Sequence, residues 1–378
     1  MGEWKTCTIG DLGTVVGGAT PSTKRTENYD GGTIPWITPK DLAGFSGRFI
    51  SRGERNITEL GLNSCSTQLM PVHTVLFSSR APIGYVAIAE QEVCTNQGFK
   101  SVIPNEYIDY MFLYYLLKYN KDKIANLGSG TTFKEVSGST MRGIKVSVPE
   151  TIEEQRRIAS VLSALDDKIE KNTKINENLA QQASSVYQAW FEDFILSNGS
   201  CPPSWKQGTL ADVANITSGK RPPVKSSEKT NTAVIPIVGA ASVMGYTTDA
   251  NHTDKILVTG RVGTHGVVQR FNSPCWTSDN TLVITSDLYE YTFQILQRID
   301  YRAMNRGSTQ PLITQGDMNK VPILIPDKDT LMNYEELVGQ LMEQYQINLL
   351  ENGKLAEQRD TLLPRLMSGE LDVSELDL

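Results

Sequence analysis

The sequence has 378 residues, a formal net charge of −7 and five cysteines without a CxxC pair. This length suffices for two domains with separate cores, and the cysteine pattern argues against a disulfide framework. The N-terminal MGEWKTCTIG has no apolar segment typical of a signal peptide and no run is long enough to span a bilayer, so we expect a cytoplasmic protein.

Residues 1–148 contain short β-type runs punctuated by glycine and proline, such as IPWITPKDL and VLFSSRAPIGYVAIA. One helix-like segment, YIDYMFLYYLLKY, lies among them. This mixture predicts an α+β domain with mostly antiparallel strands.

Residues 149–197 contain a long helical pattern that runs from Thr151 to about Phe194 without proline or glycine. Apolar residues recur at steps of three or four, with one change of phase near Asn172. Thr151 and Glu154 have the spacing of a capping box. The helix would be roughly 60 Å long, which is typical of a spacer between domains.

Residues 198–326 repeat the first domain. At a constant offset of 201 residues, Trp205, Asp212, Gly219, Pro222 and Ile235 match Trp4, Asp11, Gly18, Pro21 and Ile34. Further on the offset shrinks, and ILVTGRVGTHG follows VLFSSRAPIG with Arg261 opposite Arg80. The repeat predicts two homologous domains related by an approximate two-fold axis.

Residues 327–378 contain a second apolar stripe, which predicts a helix from about Thr330. Two such stripes can bury each other as an antiparallel coiled coil, with Asn172 and Asn352 setting the register. Gly353 and Pro364 predict that this helix kinks or stops near Leu363.

The acidic total is unevenly distributed. The two domains have net charges of +2 and +3, whereas the two helical segments have −4 and −8. The globular parts are therefore mildly basic, and binding of a polyanion by them remains possible.

Motifs for nucleotide, dinucleotide or zinc chemistry are absent: we find no GxxxxGK[ST], no convincing GxGxxG and no HExxH. Cys65 with His73, or His265 with Cys275, could form a nucleophile and base, but sequence spacing gives such pairs little support. We therefore expect no catalytic, cofactor or metal site in this chain.

Three segments together resemble a known family. The ending ENGKLAEQRDTLLPRLMSGELDV and the central EEQRRIASVLSALDDKIEKN, which closes in YQAWFEDF, resemble the conserved regions of type I restriction-modification specificity subunits. GGATPSTK and SGKRPP resemble the openings of their two target-recognition domains. The resemblance extends over the whole chain in the family's order.

The resemblance implies a non-catalytic subunit that binds a bipartite double-stranded DNA target, one half-site per recognition domain. The helices would act as a ruler between half-sites about 34 Å apart and would dock two methyltransferase subunits. Restriction subunits with translocase and nuclease activity would join them, and S-adenosylmethionine, ATP and magnesium would bind to the partners. The alternative is a tandem-domain coiled-coil scaffold that binds protein or glycan.

DNA contacts favour basic and amide side chains on loops, although any single surface cation has a solvated role as its simpler explanation. The candidates in the first domain are Thr23, Lys24, Arg25, Lys40, Arg80, Lys100 and Lys134. The candidates in the second domain are Lys220, Arg221, Lys225, Arg261, Arg306 and Gln310. Arg80 and Arg261 rank first because they recur beside glycine-rich turns.

Apolar side chains near the helix ends are candidates for docking a partner, because they look exposed in the helical pattern. The set is Tyr187, Trp190, Phe191, Phe194, Leu362, Leu363 and Leu366. The acidic residues on the helices have either a docking role or plain solvation, and the pattern does not separate the two.

Overall fold

The computed structural model describes residues 3–80, 82–130, 134–304 and 312–373. The chain forms two compact units. The first contains residues 1–174 and 349–378, and the second contains residues 175–348. Each unit is therefore a globular domain together with one segment of each long helix.

The first unit contains mixed, mostly antiparallel sheets with short helices. Its strands are Trp4–Thr8 (β1), Gly13–Gly17 (β2), Ile34–Ile37 (β3), Phe49–Ile50 (β4), Arg55–Ile57 (β5), Val75–Ser79 (β6), Ile83–Ala89 (β7), Cys94–Thr95 (β8), Lys100–Pro104 (β9) and Lys145–Pro149 (β10). Its helices are Ile9–Leu12 (α1), Glu59–Asn63 (α2), Tyr110–Tyr119 (α3), Lys121–Asn126 (α4) and Gly138–Gly143 (α5), followed by the long helix Ile152–Tyr187 (α6). The sheet orders among the described residues are β2-β9-β6-β7-β4, β5-β3-β8 and β1-β10.

The second unit has the same arrangement in shortened form. Its strands are Lys206–Thr209 (β11), Asn215–Ser218 (β12), Ile235–Val238 (β13), Val243–Thr247 (β14), Ile256–Gly260 (β15), Gln269–Phe271 (β16), Trp276–Thr277 (β17), Thr281–Thr285 (β18) and Pro322–Ile325 (β19). Its helices are Tyr289–Arg298 (α7) and Gln315–Asn319 (α8), and the long helix Lys328–Met367 (α9) follows. The sheet orders in the described part are β12-β18-β15-β16, β14-β13-β17 and β11-β19.

The strand pairings confirm that the two domains are homologous. β1 pairs with β10 as β11 pairs with β19, and β2 pairs with β9 as β12 pairs with β18, all antiparallel. β3 pairs in parallel with β8, as β13 does with β17. The capping of Thr8 by Asp11 at 2.7 Å recurs at Thr209 and Asp212, also at 2.7 Å.

The two long helices are antiparallel within each unit, as predicted. In the first unit, Arg359 pairs with Asp166 at 2.7 Å and Asn172 donates to Asn352 at 2.9 Å. In the second unit, Asn348 of α9 donates to Asn176 of α6 at 2.9 Å. Each buried amide lies opposite another amide, which is the arrangement that fixes register between two helices.

The start of α6 is capped by Thr151, as predicted. The hydroxyl of Thr151 accepts a hydrogen bond from the backbone N–H of Glu154 at 3.3 Å. The α-helix ends at Tyr187, earlier than expected, and a wider turn of π type covers Gln188–Glu192. At 36 residues α6 is about 54 Å long.

Of the predicted kink or stop of the second long helix near Leu363, the stop is wrong. α9 continues through Gly353 and Pro364 to Met367. Pro364 removes one backbone donor, but Leu366 and Met367 are buried in the core of the first unit, at 1% and 2% exposure. Burial of these two side chains favours the final turn despite the lost hydrogen bond. Among the described residues, no helix combines the length and the apolar character needed to cross a membrane.

Candidate nucleic-acid interface

The loop that follows β2 has a tightly packed base. A Cβ added to Gly18 would lie 2.1 Å from the carbonyl oxygen of Thr95, so no other residue fits there without displacement. The backbone N–H of Ala19 donates to Thr95 at 3.1 Å, and the indole N–H of Trp36 donates to the Ala19 carbonyl at 3.0 Å. The loop is thus held between β8 and the side chain of Trp36.

The second domain builds the same loop base with a tryptophan from another strand. A Cβ on Gly219 would lie 2.1 Å from the carbonyl oxygen of Ser278, and Lys220 N–H donates to Thr277 at 2.9 Å. The indole N–H of Trp276 donates to the Lys220 carbonyl at 2.7 Å. Trp276 lies on β17, which is equivalent to β8 of the first domain. Trp36 lies instead on β3, the strand that pairs in parallel with β8.

The candidates on these two loops are all exposed. They are Thr23, Lys24 and Arg25 in the first domain and Lys220, Arg221 and Lys225 in the second. Each loop is fixed where it leaves the sheet and carries exposed cations beyond that point. This arrangement suits contact with the phosphate backbone and the base edges of DNA. Their contact with DNA stays a prediction.

Lys40 and the pair Arg80 and Lys100 have carboxylate partners. Lys40 pairs with Glu54 at 2.7 Å, and this hydrogen bond raises the pKa of the Lys40 ammonium. Arg80 and Lys100 both lie near Glu135, at 3.5 Å and 3.4 Å. Lys134 is exposed beside Glu135, so these residues share one edge of the first domain.

The predicted equivalence of Arg80 and Arg261 is wrong by one residue. Ser79 N–H donates to Gly98 at 2.7 Å and the Ser79 carbonyl accepts from Val136 at 3.0 Å. Arg261 makes the same two backbone contacts, with Asn280 at 2.8 Å and Ile313 at 3.0 Å. Arg261 therefore occupies the place of Ser79, because the hydrogen-bonded register and not the identical letter defines equivalence.

Arg261 is half-buried, and its Nε atom has no hydrogen-bond partner among the described residues. The guanidinium of Arg80, in contrast, lies beside the carboxylate of Glu135. Arg306 and Gln310, the remaining candidates, lie outside the described residues.

Two arginines that the sequence analysis did not select lie in the first domain. Arg52 is exposed and, with Tyr29 and Glu54, lines a cavity of about 420 Å³. The guanidinium of Arg55 stacks 4.1 Å from the ring centre of Tyr29. The basic run RGER, residues 52–55, could have identified these two arginines in the sequence. Basic residues near this run are not all exposed, since Arg48 is buried and pairs with Glu170.

The expectation that the aromatic residues ending α6 are exposed is wrong. Tyr187 and Phe191 are 8% and 5% exposed, and Leu366 is 1% exposed. The remaining members of the set are partly buried against the two unit cores: Trp190, Phe194, Leu362 and Leu363. These side chains are the apolar seam that attaches each helix segment to its domain, so they are occupied within the chain.

Other large apolar side chains on the long helices are exposed. Five lie on α9 and one, Ile175, lies on α6; those on α9 are Met332, Leu337, Ile347, Leu349 and Leu350. Leu350 and Met332 are 58% and 57% exposed. The helical periodicity did not separate these outward positions from the buried stripe, because both are apolar.

The Cys275 thiol is buried, and His265 lies against the backbone. Burial raises the pKa of the Cys275 thiol to about 11, which keeps it protonated and weakly nucleophilic at neutral pH. His265 Nδ1 lies 3.1 Å from the carbonyl of Gly260. No group of three or more metal-ligating side chains occurs within the part of the chain that the structure describes.

Comparison with known proteins gives consistent matches. Residues 1–181 and 202–357 match the family model for the type I restriction modification DNA specificity domain. The type I restriction enzyme MjaIX specificity subunit of Methanocaldococcus jannaschii is 36% identical, over 99% of this chain and 95% of that protein. The HindI specificity subunit of Haemophilus influenzae is 24% identical, over 69% of this chain and 77% of that protein.

Among the solved structures that match, an S subunit illustrates the shared fold. The crystal structure of the type I restriction-modification S subunit from M. genitalium superposes with a TM-score of 0.61, over 97% of this chain and 96% of that chain, at 18% identity. The two family-model matches leave out residues 182–201, which begin within the end of α6, and residues 358–378. The chain therefore belongs to the family of type I restriction-modification DNA specificity subunits.

Proposed function

We propose that this chain confers DNA sequence specificity on a type I restriction-modification complex, with one half of a bipartite target bound by each globular domain. The observation that carries the proposal is the repeated loop base. Gly18 and Gly219 make the same close backbone approach in the two units, and exposed cations follow each of them. Loops held at the base lose less entropy on binding than unrestrained loops.

The chain itself is proposed to be non-catalytic and to act in the cytoplasm. Chemistry would belong to its partners: two modification subunits carrying S-adenosylmethionine, and restriction subunits that use ATP and magnesium. Family membership supports this division.

Docking of the modification subunits is proposed for the outward face of the long helices. The exposed apolar side chains of α9, among them Met332, Ile347 and Leu350, support this location. Apolar side chains left in water on a helix are typical of a surface that a partner covers. The exposed acidic residues between them would form the polar rim.

A binding experiment tests the proposal. The chain is produced together with a type I modification subunit from the same genome, and binding to duplex DNA is measured by filter retention at several salt concentrations. We expect log affinity to fall steeply and linearly with log salt, because phosphate contacts release counterions. Affinity that does not change with salt, or retention of protein or glycan instead of DNA, would favour the tandem-domain scaffold.

A domain exchange tests the assignment of half-sites. Residues 1–148 are replaced by the corresponding domain of a relative with a different target, and methylated positions are mapped by sequencing. One half of the recognised sequence should change while the other half stays. A change in both halves would contradict independent recognition.

A further inference from the structure

The first domain contains one carboxylate shared by two cations. Arg80 Nη1 lies 3.5 Å from Glu135 Oε2, and Lys100 Nζ lies 3.4 Å from Glu135 Oε1. The side chains of Arg80 and Glu135 are 33% and 39% exposed, and that of Lys100 is 16% exposed. The three charges are thus within reach of solvent and of a bound polyanion. We refer to Arg80, Lys100 and Glu135 as the ion triad.

The ion triad adjoins the loop base. Arg80 directly follows β6, where Ser79 is bonded to Gly98, and the neighbouring side chain of Gln97 is hydrogen-bonded to Thr20 on the loop after β2. Glu135 is held by two backbone hydrogen bonds with Ser129, at 2.9 Å and 3.0 Å. The carboxylate therefore has a fixed backbone and lies beside three of the candidate DNA contacts, Arg80, Lys100 and Lys134.

The second domain shows that the fold does not require these charges. With Ser79 equivalent to Arg261 and Val136 equivalent to Ile313, the three positions of the ion triad correspond to Val262, Leu282 and Leu312. Leu282 is fully buried, and Leu312 is 36% exposed. All three equivalent positions in the second domain are apolar. At these positions, the ion triad therefore occurs in the first domain and not in the second.

Partly exposed ion pairs contribute little to folding stability. A carboxylate between two cations does, however, weaken their attraction to any phosphate, and this attraction supplies nearly all non-specific DNA binding. Specificity is a difference between two affinities, and a group that weakens binding to the wrong partner increases it.

We propose that Glu135 raises the sequence specificity of the first domain indirectly, by acting on Arg80 and Lys100 and not by contacting a base itself. It orients Arg80 and Lys100 and lowers their affinity for phosphates that are presented in the wrong position. This inference rests on the proposed function, because it assumes that the edge binds DNA. It adds a role for an acidic residue on a surface otherwise selected for its basic ones.

The test uses Glu135→Gln in the complex with the modification subunit. Affinity is measured for a random duplex and for the duplex whose sequence is found by mapping methylated positions in genomic DNA. We expect random DNA to bind about 3 to 10 times more tightly than with wild type, and the salt slope to steepen by about one. Affinity for the specific duplex should rise less, so the specificity ratio falls.

Matched variants separate this role from net charge. Glu92→Gln removes an exposed carboxylate of the same domain outside the ion triad and should leave the specificity ratio near that of wild type. Adding Arg80→Gln to Glu135→Gln should remove most of the gain for random DNA. Thermal unfolding of each variant verifies that the fold is retained.

Two outcomes would overturn the inference while leaving the proposed function intact. Glu135→Gln could match Glu92→Gln on random DNA, or it could lose specific binding without any gain on random DNA. The second result would mean that Glu135 contacts a base edge directly, for example a cytosine amino group. If the wild-type complex binds no DNA, the proposed function fails and the inference fails with it.

Discussion

Asn172 donates a hydrogen bond from its side-chain amide to the side-chain carbonyl oxygen of Asn352, at 2.9 Å, where α6 and α9 pack within the first unit. Asn172 is 1% exposed and also donates to Glu351 at 2.7 Å. A buried amide pair between helices costs stability relative to an apolar pair but excludes other registers, since a shifted register would leave both amides without partners.

Replacing Asn172 alone with leucine should destabilise the protein by about 1 to 3 kcal/mol, because Asn352 and Glu351 each lose one hydrogen bond. The double variant Asn172→Leu with Asn352→Leu should recover most of this loss, since apolar side chains can pack together there. Urea unfolding of both single variants and the double variant measures the coupling. Strictly additive effects would contradict a direct interaction.

Arg48 attaches the first domain to α6. Its side chain is 5% exposed, and it hydrogen-bonds to Glu170 at 2.9 Å and to Asp167. Arg48→Met should cost about 3 kcal/mol of unfolding free energy, because the partly buried Glu170 loses its cation. Arg365→Met is the control, since Arg365 and its partner Glu370 are 44% and 61% exposed, and should cost under about 1 kcal/mol. Equal losses in both variants would contradict this role for Arg48.

The fixed start of each loop, at Gly18 and at Gly219, should affect binding to one half-site and not to the other. Gly18→Ala forces a Cβ against a carbonyl oxygen and should weaken binding to one half of the target about five-fold or more, while Gly219→Ala weakens binding to the other half. The measurement is competition between duplexes altered in one half only. Gly143→Ala is the control, because an added Cβ there meets nothing within 4 Å. Loss in both halves from one variant would argue for general unfolding.

Glu335 on α9 should make stability depend on pH. It accepts hydrogen bonds from Tyr291 N–H at 2.7 Å and Glu290 N–H at 3.0 Å at the start of α7. Burial raises the pKa of Glu335 above its ordinary value of 4.5, although these hydrogen bonds oppose the shift. A raised pKa in the folded state favours the protonated form, so the contribution is complete below about pH 4.5 and is lost as pH rises through the raised value.

We therefore expect the unfolding free energy of wild type, relative to Glu335→Gln, to be highest in acid and to decline as pH rises from about 4.5. Urea unfolding of both proteins at pH 4, 5, 6, 7 and 8 measures this difference. A relative gain for wild type with rising pH would show that the hydrogen bonds to Tyr291 and Glu290 outweigh burial.

The long helices should set the spacer of the DNA target. Insertion of seven residues after Lys174 in α6 and seven after Asn348 in α9 keeps the heptad phase and adds about 10 Å to each helix. Because duplex DNA rises 3.4 Å per base pair, the spacer between half-sites should lengthen by about three base pairs. Sequencing of methylated DNA measures it, and an unchanged spacer would contradict the ruler.

Much of the architecture could be predicted because it depends on local patterns. The helical stripes, the duplication and the opposition of Asn172 and Asn352 follow from spacing along the chain. Equivalence between Arg80 and Arg261 was less secure. The second repeat is shorter than the first, so the offset between equivalent residues changes along the chain. Matching the identical residues aligned Arg261 with Arg80, whereas the backbone hydrogen bonds align Arg261 with Ser79.

The sequence by itself therefore determined the repeated domains, the paired helices and the set of exposed cations on the two loops, since periodicity and repetition are properties of neighbouring residues. Only the tertiary structure decided that Tyr187, Phe191 and Leu366 are buried, that Trp36 and Trp276 hold the loops from different strands, and that Glu135 lies between Arg80 and Lys100. Those contacts join residues far apart in the chain, and their distances depend on how strands and helices pack, which no local pattern contains.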